Sequence, residues 1–232
     1  MDDFYFFTTF NLFPDKYDEW QSAFDGLAAY TWEEEPDTKT YQFAVPLDYK
    51  DNWSGATSVL AFERYGERED LYKTHFKSPA MAKFLLLTTP LVTTDPDLNH
   101  YECVGGFLDI FGKKSECEII LDVKIACRSD SARSDVLGRL TELADIVEDK
   151  EKMMSSGVMT WMAFKRLDND TGVRIFGRYK TRDAMEKFIR REEYNDFWRA
   201  SLKDIGSMES RGWVPNGKGW LHREGLEGEK SE

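Results

Sequence analysis

The chain states one passage twice, and that constrains its fold more than any other feature. Arg64-Tyr65 ends an apolar run and is followed by a charged segment, Leu71, His75, Ser78-Pro79 and Phe84. Arg178-Tyr179 opens the same passage again, with Thr181-Arg182-Asp183, Met185, Phe188, Tyr194 and Trp198. The offset from Arg64 to Arg178 is about 114 residues, nearly half of a 232-residue chain, and a repeat of long period implies duplicated supersecondary units. Two copies of one small α/β unit can close on each other and enclose a pocket.

The elements within each half follow from periodicity. Phe4–Leu12 is aromatic and β-branched and reads as a strand. Pro14 suits a first helical turn, and Tyr17, Trp20, Phe24, Leu27 and Ala28 recur at helical spacing. Glu33-Glu34-Glu35-Pro36-Asp37 reads as a polar break. Strands are expected over 41–45 and 57–65, with an exposed loop of Asp, Asn and Gly between them. A helix over 67–87, interrupted at Ser78-Pro79, and a strand over 99–108 complete the half. The order is βαββαβ, the ferredoxin-like split βαβ unit.

The second half repeats it. Ile119, Leu121, Val123 and Ile125 alternate along a strand, and Val136, Leu140, Leu143 and Val147 share one face of a helix over 129–148 opened by Ser129 and Asp130. Two strands, 158–166 and 172–179, form a hairpin across Asp168-Asn169-Asp170-Thr171-Gly172. A helix over 182–202 and a strand over 211–222 follow. The expected organisation is a repeat over 1–112, a short join at Gly112-Lys113-Lys114-Ser115, a repeat over 116–224, and a polar tail over 225–232. A bare apolar sheet face is unfavourable by about 25 cal/mol per Å². The expectation is therefore α+β: two tandem ferredoxin-like repeats whose antiparallel sheets pack into an α/β barrel inside one chain, with a hollow between the sheets.

Composition narrows the function classes. The net charge is −12, from 31 basic and 43 acidic residues, with no basic stripe, which argues against nucleic acid as a partner. No run of about 18 apolar residues occurs, so no transmembrane helix is expected. The acidic start, Met1-Asp2-Asp3, differs from a basic secretory leader. Cys103, Cys117 and Cys127 lack CxxC spacing and read as reduced thiols of a cytoplasmic protein. His75, His100 and His222 are too scattered for a metal motif, and no metal is expected. Neither a P-loop nor a GxSxG elbow occurs, which disfavours nucleotide cofactors and serine hydrolysis. Aromatic residues make up 14%, with 7 Trp, enough to fill two small cores and to wall a pocket for a flat ligand.

One stretch carries a family likeness. Phe62-Glu63-Arg64-Tyr65, Leu71, His75-Phe76-Lys77-Ser78-Pro79-Ala80 and Phe84 resemble the antibiotic biosynthesis monooxygenase family: a strand ending in Glu-x-aromatic, then a helix with His-x-x-Ser-Pro and a later Phe. The likeness covers about 57–84. In the second half Glu63 becomes Gly177, His75 becomes Ile189, and Ser78-Pro79 becomes Glu192-Glu193. The resemblance implies the dimeric α/β-barrel fold, here in tandem form. It also implies a cofactor-independent monooxygenase that joins molecular oxygen to an aromatic, polyketide-type small molecule in secondary metabolism. It places the Glu63 and Tyr65 face in the barrel interior. Fused copies could pair further as a homodimer.

The residues themselves leave alternatives open. An unperturbed histidine has a pKa near neutrality, which makes His75 a candidate base; it equally reads as a helix histidine bonded to backbone or to Glu63. Tyr65 could donate a hydrogen bond to a substrate oxygen and Glu63 could hold a proton or orient His75, or the two form a buried structural pair. Asn11 shares a strand face with Phe7, and both are candidate substrate contacts; a strand-one Asn is a pocket residue in haem-degrading relatives. Trp32, Trp161 and Tyr179 are candidate pocket walls or core rings. The family's haem-ligating His falls near Leu85 and Leu86 here, which counts against haem without removing it. The same pocket would also serve a dehydratase, cyclase or isomerase, or a barrel that only binds a small ligand.

Overall fold

A computed structural model describes residues 3–109 and 117–223. The join expected around 112–115 and the tail over 225–232 lie outside them. The elements are β1 (Phe4–Asn11), α1 (Tyr17–Glu34), β2 (Thr38–Pro46), β3 (Ser58–Tyr65), α2 (Pro79–Thr88), β4 (Asp97–Phe107), β5 (Ile119–Cys127), α3 (Asp130–Met154), β6 (Val158–Arg166), β7 (Gly172–Tyr179), α4 (Arg182–Ile189), α5 (Glu192–Ser201) and β8 (Ile205–Trp220). The strands form a closed barrel in the order β1-β3-β2-β8-β5-β7-β6-β4, so the fold is the α/β barrel that the βαββαβ repeat implies. Among the described residues no helix is long and apolar enough to cross a membrane.

The chain divides into two compact units, Met1–His100 with Pro215–Glu232, and Tyr101–Val214. Each repeat's last strand is divided between them, because ladder partners and not chain order decide membership. From Tyr101 onward β4 pairs with β6, Tyr101 opposite Arg166 and Phe107 opposite Trp161. The first part of β8 pairs with β5, Trp213 opposite Ile120.

In the first unit, β3 lies between β1 and β2, antiparallel to both. Phe6 and Tyr41 both stand opposite Glu63, and Thr8 and Phe43 both stand opposite Ala61. Directly opposed residues share a sheet face, so these six side chains and Phe10 occupy one face. Helices α1 and α2 cover it. Trp20 stacks on Phe24 at 5.6 Å, Phe24 meets Phe43 at 3.8 Å, and Phe84 turns its edge to Trp20 at 5.9 Å. On the opposite face Phe7 stacks on Phe62 at 4.9 Å.

In the second unit, Val136, Leu140, Leu143 and Val147 form the buried stripe of α3. The β6–β7 turn is held by Asn169, whose Oδ1 accepts from the backbone N–H groups of Thr171 and Gly172. The helix expected over 182–202 divides into α4 and α5. Arg191 at the break is extended and gives its guanidinium to buried Glu151 at 2.6 Å. That tertiary contact overrides helical continuity.

Candidate functional site

The cavity of interest belongs to the first unit. It has a volume of about 290 Å³ and lies between the β1–β3–β2 face and helices α1 and α2. Phe6, Phe10, Phe24, Phe43 and Phe84 make its walls, and Thr8, Tyr41, Glu63 and His75 are its polar members. Leu85 and Leu98 line it while 47% and 43% exposed, so they stand at its mouth.

A local irregularity delivers His75. Residues Asp70–His75 form one wide π-helical turn, in which Phe76 N–H donates to Leu71 C=O at 2.8 Å. Such turns carry one residue more than an α-turn and are frequent at functional sites. The chain then restarts as α2, with Ser78 Oγ accepting from Met81 N–H and Pro79 in the first turn, which fixes the helix start.

Glu35 arrives from the other side. It ends α1 and precedes Pro36, and a residue before proline is driven out of helical geometry; its φ and ψ are −121° and 72°. Glu33 and Glu34 remain exposed, whereas Glu35 is 3% exposed. Its Oε2 lies 2.6 Å from His75 Nδ1. Tyr41 Oη lies 3.3 Å from Nε2 of the same ring. Tyr65 Oη donates to Glu63 Oε2 at 2.5 Å, and the Tyr65 ring is 5.9 Å from the imidazole.

All five groups are buried, and burial sets the electrostatics. Glu63 is raised from 4.5 to about 7, first because burial penalises the carboxylate and then because Glu35 repels it. His75 and the Tyr65 hydrogen bond act in the opposite direction. Burial also raises Tyr41 and Tyr65 well above the ordinary phenol value, with Glu63 adding to it. Both phenols therefore stay protonated, and Glu63 exchanges its proton near neutrality. A carboxyl group so poised beside an imidazole can take and return a proton at ordinary pH.

The expected site residues fall into two groups. His75, Glu63 and Tyr65 come together, with His75 and Glu63 on the cavity and Tyr65 holding Glu63. Their face is the helix-covered one, which corrects the expectation of a barrel-interior face; alternation fixes which side chains travel together but not what covers them. Asn11 and Phe7 point to the other face: Phe7 is packed on Phe62, and Asn11 Nδ2 donates to Thr94 Oγ1 at 3.3 Å. Trp32 packs edge-on to Trp220 at 4.9 Å under the Arg223 guanidinium. Trp161 and Tyr179 pack on Phe188 in the second unit's core. Sequence reasoning missed Glu35, Tyr41 and Thr8.

Haem fits this site poorly. Both ring nitrogens of His75 are engaged by neighbours, and the cavity is at the small end for even compact ligands. Among the described residues no three His, Cys, Asp or Glu side chains gather as metal ligands would.

No family model matches the chain, and no curated relative matches it. Solved structures do. A candidate monooxygenase from Fusobacterium nucleatum subsp. nucleatum ATCC 25586 is 14% identical with a TM-score of 0.73, over 95% of this chain and 97% of that one. The chain shares its fold. A candidate monooxygenase from Lactobacillus acidophilus NCFM is 8% identical with a TM-score of 0.70, over 93% of this chain and 94% of the other. An anthrone oxidase-like protein is 11% identical with a TM-score of 0.64, over 94% of each. The match runs end to end in each case, so the tandem dimeric α/β barrel within one chain is common to all of them. At these identities the likeness carries the fold, and chemistry must be argued from the side chains.

Proposed function

We propose that the protein is a cofactor-independent monooxygenase acting on a compact aromatic phenol or enol of polyketide type, in cytoplasmic secondary metabolism. One observation carries this reading: a buried carboxyl group, Glu63, raised to about 7 in an aromatic cavity beside His75. Phenylalanine walls hold a flat substrate and exclude water. Glu63 accepts a proton from it, with Tyr65 steadying the carboxylate. The Glu35 carboxylate accepts from His75 Nδ1–H, which leaves Nε2 facing the Tyr41 hydroxyl and fixes the ring. The substrate anion, kept from bulk water, is electron-rich enough to react with dioxygen. One oxygen atom enters the product, and the other leaves as water with two substrate hydrogens.

The test is oxygen uptake by metal-free protein with anthrones and naphthols. Glu63→Gln, which preserves shape and the hydrogen bond from Tyr65, should lower kcat by about 10²–10⁴-fold, the usual worth of a positioned acid–base group. Uptake no faster than buffer across the panel would end the assignment. The pairing of a carboxyl with an imidazole also favours a second reading, a dehydratase, cyclase or isomerase that moves a proton without oxygen. Turnover under argon separates the two.

A further inference from the structure

We propose that Thr8 is a substrate-positioning contact, and that the substrate is an aromatic ring system with a second oxygen remote from the one at Glu63. This rests on the preceding reading of the cavity and names the substrate class within it.

Thr8 is 2% exposed and lines the cavity. Its Oγ1 is buried with no hydrogen-bond partner among the described residues. Its neighbours along the same strand face are Phe6 and Phe10, and Ala61 stands opposite on β3; none of these three side chains can bond it. A buried hydroxyl without a partner is destabilising, and such groups call for a specific explanation. Valine has the same branched shape and would pack there without that penalty. A hydroxyl aimed into an otherwise apolar wall acquires a partner when a polar atom of a ligand comes within reach.

The ladder sets where that atom lies. Phe6 is opposite Glu63 and Thr8 is opposite Ala61, so Thr8 sits two residues along the sheet from the proton-transfer level. Two residues of strand span about 7 Å. A hydrogen bond of about 2.8 Å at each end takes up part of that span, so the ligand needs a second oxygen within about 7 Å of the first. Oxygens across a ring system, as in 1,5-dihydroxynaphthalene, can meet Glu63 at one end and Thr8 at the other. The small cavity agrees with one or two fused rings.

The experiment is anaerobic calorimetry of the full chain with 1-naphthol and 1,5-dihydroxynaphthalene, so that binding is read without turnover. The wild type should bind the diol about tenfold or more tightly than the mono-ol, since a site built to hydrogen-bond a hydroxyl rejects the analogue lacking it. Thr8→Val should remove the preference by weakening the diol, and should melt no lower than wild type. Thr8→Ser should retain the preference. A preference that survives in Thr8→Val, or is absent in the wild type, overturns the role of Thr8 and leaves the catalytic reading standing. If neither phenol binds the wild type, the aromatic cavity reading and this inference fall together.

Discussion

Glu63 is the residue on which most depends, and its protonation has a consequence for stability as well as chemistry. Its native value lies near 7 against 4.5 in an open chain. Between those two pH values the folded protein holds a proton that the unfolded chain has released. Stability therefore falls as pH rises through that window, the reverse of an ion-paired carboxylate. In urea melts, the wild-type midpoint should drop between pH 4.5 and about 7 more steeply than that of Glu63→Gln. Equal slopes would mean that Glu63 ionises normally. If Glu63 is the base, kcat/KM should rise with pH through the same window. The sequence made Glu63, Tyr65 and His75 legible because they sit in a compact strand-to-helix motif. It concealed Glu35, which stands third in a run of acids that reads as solvated; only the following Pro36 hints that its backbone departs from the helix. Tyr41 and Thr8 were concealed differently, since the faces of β1 and β2 acquire meaning only once their register with β3 is known.

At the scale of elements, the turn over Asp70–His75 is the part on which geometry hangs. The break at Ser78-Pro79 was legible from capping chemistry. The wide turn before it was not, because one extra residue leaves the apolar spacing almost unchanged. Deleting Lys73, whose side chain is 70% exposed, removes one residue from that turn without touching the core. The shortened segment should close into an α-turn, with Phe76 N–H still bonded to Leu71 C=O, and should turn His75 by about 30° out of its present setting and draw it along the helix axis. Far-UV circular dichroism and cooperative melting should persist. On the proposed function, turnover should fall by about 10²-fold, as expected when a group beside the chemistry is misplaced by about 1 Å. The His75 imidazole NMR signals should move with the loss of the Glu35 contact. Undiminished turnover in a folded deletion variant would show that His75 does not need its present setting. The β6–β7 hairpin shows the opposite case: a local Asn-centred turn fixed the register, so residues 158–166 and 172–179 could be placed from sequence.

For the whole molecule, duplication and the βαββαβ order predicted the barrel, because they depend on repeat period and apolar alternation. The position of the cavity was not predictable in that way. A duplicated chain also need not have duplicated sites, and here the copies diverge. Where the first unit has Glu63 and His75, the second has Gly177 and Ile189. A Cβ at Gly177 would lie 2.6 Å from Tyr179 Oη, so the phenol occupies the space a side chain there would need. Tyr65, its counterpart, instead reaches the Glu63 carboxyl. Among the described residues the buried glutamate of the second unit is Glu151, and Arg191 at 2.6 Å and Ser156 hold it in a closed ion pair. The second copy thus keeps the scaffold and lacks the carboxyl and imidazole on which the proposed function rests. Anaerobic titration with a naphthol should saturate at one equivalent per chain, and Glu63→Leu should abolish it. Gly177→Glu should not create a second site: it crowds Tyr179 and buries an unpaired carboxylate, so its melting temperature should fall, with a loss of about 3 kcal/mol or more. Two equivalents of equal affinity in the wild type, or a stable Gly177→Glu variant that binds twice, would show that both copies work.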